Sequence, residues 1–280
     1  MKNTTEQLSF EDKKKLTTER LAEVKNRIIV LSGKGGVGKS TVAVNLAAAL
    51  QMRGHSTGLI DADLHGPSVP KMLGLEDVQI SGTGDGIKPA TLQIGPGKAL
   101  RVISLAFFLE KDVPVIWRSP LKIAAIQQFL YDVKWGKLDY LIFDLPPGTG
   151  DEPLSISNII GNVTGAIIVT TPQDVALIDS RRAVEFAKRL DIPVLGVIEN
   201  MSTLVCPHCK KKIELFKSGG GQQAAKELGV RFLGRVPIDP TVVLDCDSGK
   251  PFVLTHPDSK AAKEFNRIVD KIRNATKDSE

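Results

Sequence analysis

Residues 33 to 40, GKGGVGKS, place four glycines and two lysines in one short stretch. They fit the pattern G-x-x-x-x-G-K-[ST], with the apolar run RIIVL before them and a helical stretch beginning at Lys39. Gly33, Gly35, Gly36 and Gly38, with Val37, let the backbone wrap an anion, so that successive N–H groups and a helix N-terminus face it. Lys39 is placed to reach the β- and γ-phosphates of ATP, the Ser40 hydroxyl to ligate Mg²⁺, and Thr41 to lie near the α-phosphate. Lys34 is a second cation among the glycines, with no obvious local partner. Its charge needs a separate explanation.

Two acidic turns follow. LIDADLHGPS puts Asp61 and Asp63 at the end of a strand, on the edge where the phosphate loop also lies. YLIFDLPPGTGDEP puts Asp144 after an apolar run, where a carboxylate can hold Mg²⁺ through water. Ser40, Asp61 and Asp144 are therefore the candidate Mg²⁺ site. Gly148 and Gly150 allow the second turn to move when a γ-phosphate leaves.

A different chemistry is carried by CPHC, Cys206 to Cys209. This spacing admits a redox pair, a zinc knuckle or an iron–sulfur ligand pair. Four thiolates close a tetrahedral zinc site or hold a [4Fe–4S] cube, and one chain clusters only two. A two-fold homodimer would bring Cys206 and Cys209 of each copy together. His208 reads as a surface residue. Cys246, in LDCDSGK, has no neighbouring cysteine and reads as a plain thiol.

These groups need a scaffold that brings strand ends to one edge. From Arg27 onward, short apolar runs alternate with helical stretches: RIIVL, STGLI, LRVISL, DYLIFD, GAIIVTT and PVLGVIEN are the strands. Continuous rather than alternating apolar strands point to a doubly wound, mostly parallel α/β sheet covered by helices on both faces. Residues 1–24 read as a charged helical extension and 25–280 as a single ATPase domain. Within that domain lie a cysteine-bearing insert at 202–221 and a terminal helix at 258–277. Residues 81–98, rich in Gly and Pro, read as a loop or short hairpin. In the terminal helix Phe265, Ile268, Val269 and Ile272 form one stripe, which is expected to pack on the sheet rather than on a membrane surface.

Composition sets limits. The 280 residues are 42% hydrophobic and 25% charged, as in globular proteins with a substantial core. A net charge of +5 reads as a mildly basic surface, with no stable nucleic-acid or membrane binding expected. The polar N-terminus lacks a signal-peptide core, and no apolar run reaches the roughly 20 residues of a membrane span. These features point to a cytoplasmic protein, where a close Cys pair indicates metal or redox chemistry.

GKGGVGKST resembles the deviant Walker A motif of the P-loop group that contains the nitrogenase iron protein, MinD, ParA and the Mrp/ApbC proteins. DADLHGPSVPKMLG, DLPPGTGDEPL and ENMSTLVCPHC are similar to the Mrp/ApbC branch, the iron–sulfur cluster carrier ATPases. The resemblance runs from about Arg27 to the end of the chain. It implies a slow Mg²⁺-dependent ATPase that is a homodimer sandwiching ATP and bridging a [4Fe–4S] cluster for delivery to apo iron–sulfur proteins. Zn²⁺ could occupy the same thiolates. The resemblance also implies that Lys34 reaches the partner's nucleotide and that Asp63 orients the attacking water. Asn200 would contact the adenine, with Pro237 and Asp239 closing over it. The alternative within the group is a MinD- or ParA-like positioning ATPase on membrane or DNA, which the cysteine pair disfavours. Electron transfer of the nitrogenase type needs cluster cysteines in and before the second switch region, where this sequence has none.

Overall fold

The computed structural model describes residues 9–63, 66–80, 82–83, 86–108, 119–206, 208–209 and 211–277. The chain opens with α1 (Phe10–Leu21), β1 (Val24–Leu31), α2 (Lys39–Met52), β2 (Thr57–Asp61) and α3 (Val69–Met72). A small hairpin, β3 (Gly82–Thr83) and β4 (Gly86–Ile87), precedes β5 (Ala90–Gly95), β6 (Lys98–Ser104) and α4 (Ser119–Asp132). Then come β7 (Leu138–Asp144), α5 (Asp151–Ile160), β8 (Gly165–Thr170), α6 (Asp174–Arg189) and β9 (Val194–Glu199). The last part holds a second hairpin, β10 (Leu204–Val205) and β11 (Lys212–Ile213), then α7 (Gly220–Glu227) and β12 (Phe232–Arg235). It ends with α8 (Pro240–Asp247), α9 (Phe252–Thr255) and α10 (Lys260–Lys277).

Eight strands form one sheet in the order β12-β9-β8-β1-β7-β2-β6-β5. Every pairing is parallel except β5 with β6, which closes one edge as an antiparallel hairpin. The 81–98 stretch thus contributes a sheet strand as well as turns. Parallel pairing explains the apolar runs: in β1, Ile28 and Val30 enter one core while Ile29 and Leu31 enter the other. The first core is built against α2, α9 and α10, the second against α1, α4, α5 and α6.

The terminal stripe packs as expected. Phe265, Ile268, Val269 and Ile272 are all buried, so α10 has no free apolar face along them. Among the described residues, no helix is long and apolar enough to cross a membrane. Helix α1 starts on a capping box, with Ser9 accepting from the Asp12 amide and Asp12 accepting from the Ser9 amide. It ends at the fully buried Leu21, and Arg27 then ties it inward: its guanidinium donates to Leu21 O at 2.7 Å and Gly161 O at 3.0 Å. The helix is thereby part of the packed body. Residues 1–8 of the expected N-terminal extension lie outside the described residues.

Candidate functional site

The loop joining β1 to α2 follows a central strand, so it opens at the carboxyl edge of the sheet. Gly38, the residue before α2, has φ 79°, a left-handed conformation that any Cβ would strain. A Cβ there would also collide with the Asn200 amide, and one at Gly33 would collide with the backbone of Asp179 in α6. The glycines therefore serve packing as well as access to phosphate. Val37 is buried and its carbonyl accepts from Asn200 Nδ2 at 2.9 Å. A cleft of about 180 Å³ is lined by Lys34, Gly35, Gly36, Lys39, Ser40 and Asp63. Lys34 is half-buried, and its ammonium has no ion-pair or hydrogen-bond partner among the described residues.

Lys39 behaves differently. It is buried, with its Nζ 2.6 Å from Asp144 Oδ1, 3.4 Å from Ser40 Oγ and 3.6 Å from Asp63 Oδ2. Asp61 and Asp144 sit opposite one another in the β2–β7 register, both buried. Burial, then the Asp144 charge, pushes the Asp61 carboxyl up to about 8, with Lys39 opposing. Burial also raises Asp144, and Lys39 is the strongest opposing influence. Asp144 Oδ2 is buried with no hydrogen-bond partner among the described residues. Two carboxylates and the Ser40 hydroxyl make an all-oxygen donor set of the kind Mg²⁺ takes, so the residues fit the ion. Asp61 also has a task that the sequence did not suggest. It accepts from Ser104 Oγ, the Asp63 amide and the Val69 amide, tying the first acidic turn to β6 and α3.

Thr41 joins this cleft to a larger, mostly apolar cavity of about 430 Å³. Asn200, Pro237 and Asp239 line it, together with Phe216, Val243 and Cys246. The Asp239 carboxylate is engaged as the cap of α8, accepting from the Thr241 amide and hydroxyl. Cys246 is half-buried in this wall, and burial followed by Asp247 and Asp245 raises its thiol pKa. Sequence spacing gave no sign that Phe216 shares a cavity with Val243 and Cys246, because Phe216 comes from the segment that carries the cysteine pair and the other two from α8.

Cys206 and Cys209 lie on the turn between β10 and β11, where the Cys206 amide donates to Lys211 O at 3.0 Å. Cys206 is half-buried, whereas Cys209 and His208 are exposed. Among the described residues, no group of three or more His, Cys, Asp or Glu side chains is arranged to hold a metal. Neither cysteine lines the phosphate cleft.

A phosphate loop after a central parallel strand, a lysine held by carboxylates on adjoining strands, and an apolar cavity beside them define a P-loop nucleotide-binding α/β protein. Residues 23–273 match the profile of the ParA-group family described as the NUBPL iron-transfer P-loop NTPases. The chain belongs to that family. It is 51% identical to the iron-sulfur cluster carrier protein of Methanocaldococcus jannaschii, over 91% of this chain and 86% of that one. It is 48% identical to the cytosolic Fe-S cluster assembly factor NUBP2 homolog of Nematostella vectensis, over 91% and 95% of the two chains. A solved Archaeoglobus fulgidus nucleotide-binding protein in complex with ADP superposes with a TM-score of 0.75 at 36% identity, covering 85% of this chain and 92% of that one. The MinD cell division ATPase of Pyrococcus furiosus, at 24% identity and a TM-score of 0.64, shares the fold over 89% and 99% of the chains.

Proposed function

We propose that this protein is an ATP-binding, ATP-hydrolysing carrier that holds a [4Fe–4S] cluster between two copies and passes it to apo iron–sulfur proteins. The observation that carries this reading is the pairing of a complete phosphate site with an exposed, incomplete thiolate pair. Relatives about half identical to this chain, named as cluster carriers and assembly factors, support it. The MinD-like alternative loses its candidate surface helix, because the apolar stripe of α10 is buried.

In this reading Gly33–Thr41 cradle the phosphates, and the apolar cavity with Asn200, Pro237 and Asp239 receives the adenine. Ser40, Asp61 and Asp144 would hold Mg²⁺, directly or through water, and the ion would neutralise charge on the β- and γ-phosphates. Asp63 stands 3.6 Å from the Lys39 ammonium at the cleft, where a carboxylate can orient an attacking water. Lys34, whose ammonium has no partner among the described residues, supplies the second copy's phosphates with a cation. The cluster is cargo. Cys206 and Cys209 of two copies provide its four thiolates, and Zn²⁺ competes for them. A reducing cytoplasm suits such thiols.

The test is anaerobic reconstitution with iron and sulfide. We expect close to four irons and four sulfides per dimer, with sulfur-to-iron absorption that disappears in the Cys206→Ala, Cys209→Ala double variant. A folded, reconstituted dimer that takes up neither iron nor sulfide would end the carrier reading.

A further inference from the structure

The cysteine hairpin and the nucleotide site meet at a buried carboxylate. Glu199, the last residue of β9, has no exposed surface. Its Oε1 accepts from Ser202 Oγ at 2.7 Å, Arg235 Nε at 2.8 Å and the Gly219 amide at 3.2 Å. Its Oε2 accepts from the Gly221 amide at 2.7 Å. Ser202 begins the excursion that carries the cysteines, and Gly219 ends it. One carboxylate therefore holds both ends of the segment 203–218.

The same carboxylate stands one residue from the phosphate loop. Asn200 donates to Val37 O at 2.9 Å. Between Asn200 and Ser202, Met201 adopts φ 54°, a left-handed conformation that a side chain of its size rarely takes. That turn lets Asn200 meet the loop while Ser202 returns to Glu199. The excursion touches the nucleotide site a second time, because Leu215 and Phe216 on its return arm line the cavity proposed for the base. A displacement of the phosphate loop or of the cavity wall thus has a packed, hydrogen-bonded route to Cys206 and Cys209.

We infer that Glu199 is a positioning residue: it couples nucleotide occupancy to the placement of the cysteine pair, through Asn200 and the Met201 turn on one side and the clamped ends of the hairpin on the other. The purpose of such coupling rests on the carrier reading. Its measurement does not, because thiol accessibility can be read on iron-free protein.

Glu199→Gln preserves shape but replaces one acceptor oxygen with an amide that repels the donors there, freeing one end of the excursion. The Asn200 contact with Val37 is untouched. Alkylation of Cys206 and Cys209 by iodoacetamide, resolved by peptide mass spectrometry, is followed on iron-free protein with and without Mg·ATP. In the parent we expect Mg·ATP to change the Cys209 rate by about fivefold, within the usual range of coupling between sites. In Glu199→Gln that ratio should collapse toward one, with ATP affinity altered less than about threefold. A purely structural staple would raise alkylation equally with and without nucleotide and leave the ratio intact, and that result overturns the inference. A parent with no nucleotide effect overturns it as well. If Glu199→Gln fails to fold, Ser202→Ala removes a single donor at the entry arm and must reduce the same ratio. An unchanged ratio in that variant sinks the coupling. Failure of the parent to take up a cluster would show separately, in reconstitution, and would strike the carrier reading alone.

Discussion

Asp61 and Asp144 face each other across β2 and β7 without solvent, and one buried lysine serves both. Burial first, and the neighbouring Asp144 charge second, push the Asp61 carboxyl up to about 8, because one cation offsets only part of that cost. The sign of the consequence follows from linkage. An unfolded chain releases the Asp61 proton near 3.8 and the folded chain only near 8, so the unfolded state binds fewer protons between them. The stability contributed by this group therefore falls as pH rises through that window. Asp61→Asn removes the titration: nucleotide-free protein should lose less thermal stability from pH 5 to pH 8 than the parent. At the upper end its Tm should be higher by about 2–4 °C for each kcal/mol relieved. Calorimetry at both pH values checks this, and equal slopes in the two proteins would contradict the raised carboxyl. Lys34 supplies the opposite case, a cation with no anion beside it among the described residues. Lys34→Ala should lower kcat by about 10²–10³-fold, the usual cost of a lost transition-state donor, and leave the melting temperature unchanged. Full turnover in that variant would remove the cross-copy role.

At the scale of elements, Arg27 shows how a strand residue fixes two helices. From β1 its guanidinium reaches the last carbonyl of α1, Leu21 O, and the carbonyls of Ile160 and Gly161 that end and follow α5, where helix ends carry partial negative charge. Burial depresses its pKa, and among the described residues no carboxylate compensates, so the carbonyls do that work. Arg27→Met should cost about 2–4 kcal/mol in urea unfolding, from buried carbonyls left unpaired, with nucleotide affinity unchanged. A loss of affinity without a loss of stability would contradict this structural role. Which elements were legible in the sequence follows from the same physics. β1 and α10 could be read directly, because their burial imposes a pattern on adjacent residues: an unbroken apolar run, and the stripe Phe265, Ile268, Val269, Ile272. β5 could not, since ATLQIG is an edge strand followed by a Gly-Pro turn, and only one partner holds it. The phosphate loop was legible because its function demands local spacing. The Glu199 clamp was not, because its donors come from residues 202, 219, 221 and 235, and no local pattern announces them.

On the proposed reading, the molecule as a whole carries two sites that a second copy would complete. Cys206 and Cys209 would supply two thiolates of a four-thiolate site, and Lys34 a cation for the second copy's phosphates. A surface joining two copies on that reading would lie near both, and exposed apolar residues flank them. Val175 is 64% exposed and Ile178 56% at the start of α6, beside the Asp179 backbone that packs on Gly33. Leu215 is 54% exposed on the return arm of the cysteine excursion. Lys217 on that arm is ion-paired with Asp174 of α6, which brings the return arm against the start of that helix. Buried apolar anchors near the centre of an interface dominate its energy, while an exposed position in a lone chain tolerates substitution. Val175→Asp should therefore weaken Mg·ATP-dependent dimerisation by about tenfold or more in sedimentation experiments and leave the monomer's melting temperature where it was. Iron and sulfide bound per chain should fall in step with the dimer fraction, because two thiolates alone cannot close the site. Undiminished dimerisation would remove α6 from the interface. Full cluster loading on a monomeric variant would remove the bridge itself, and with it the reason for placing a half-complete thiolate site beside a nucleotide.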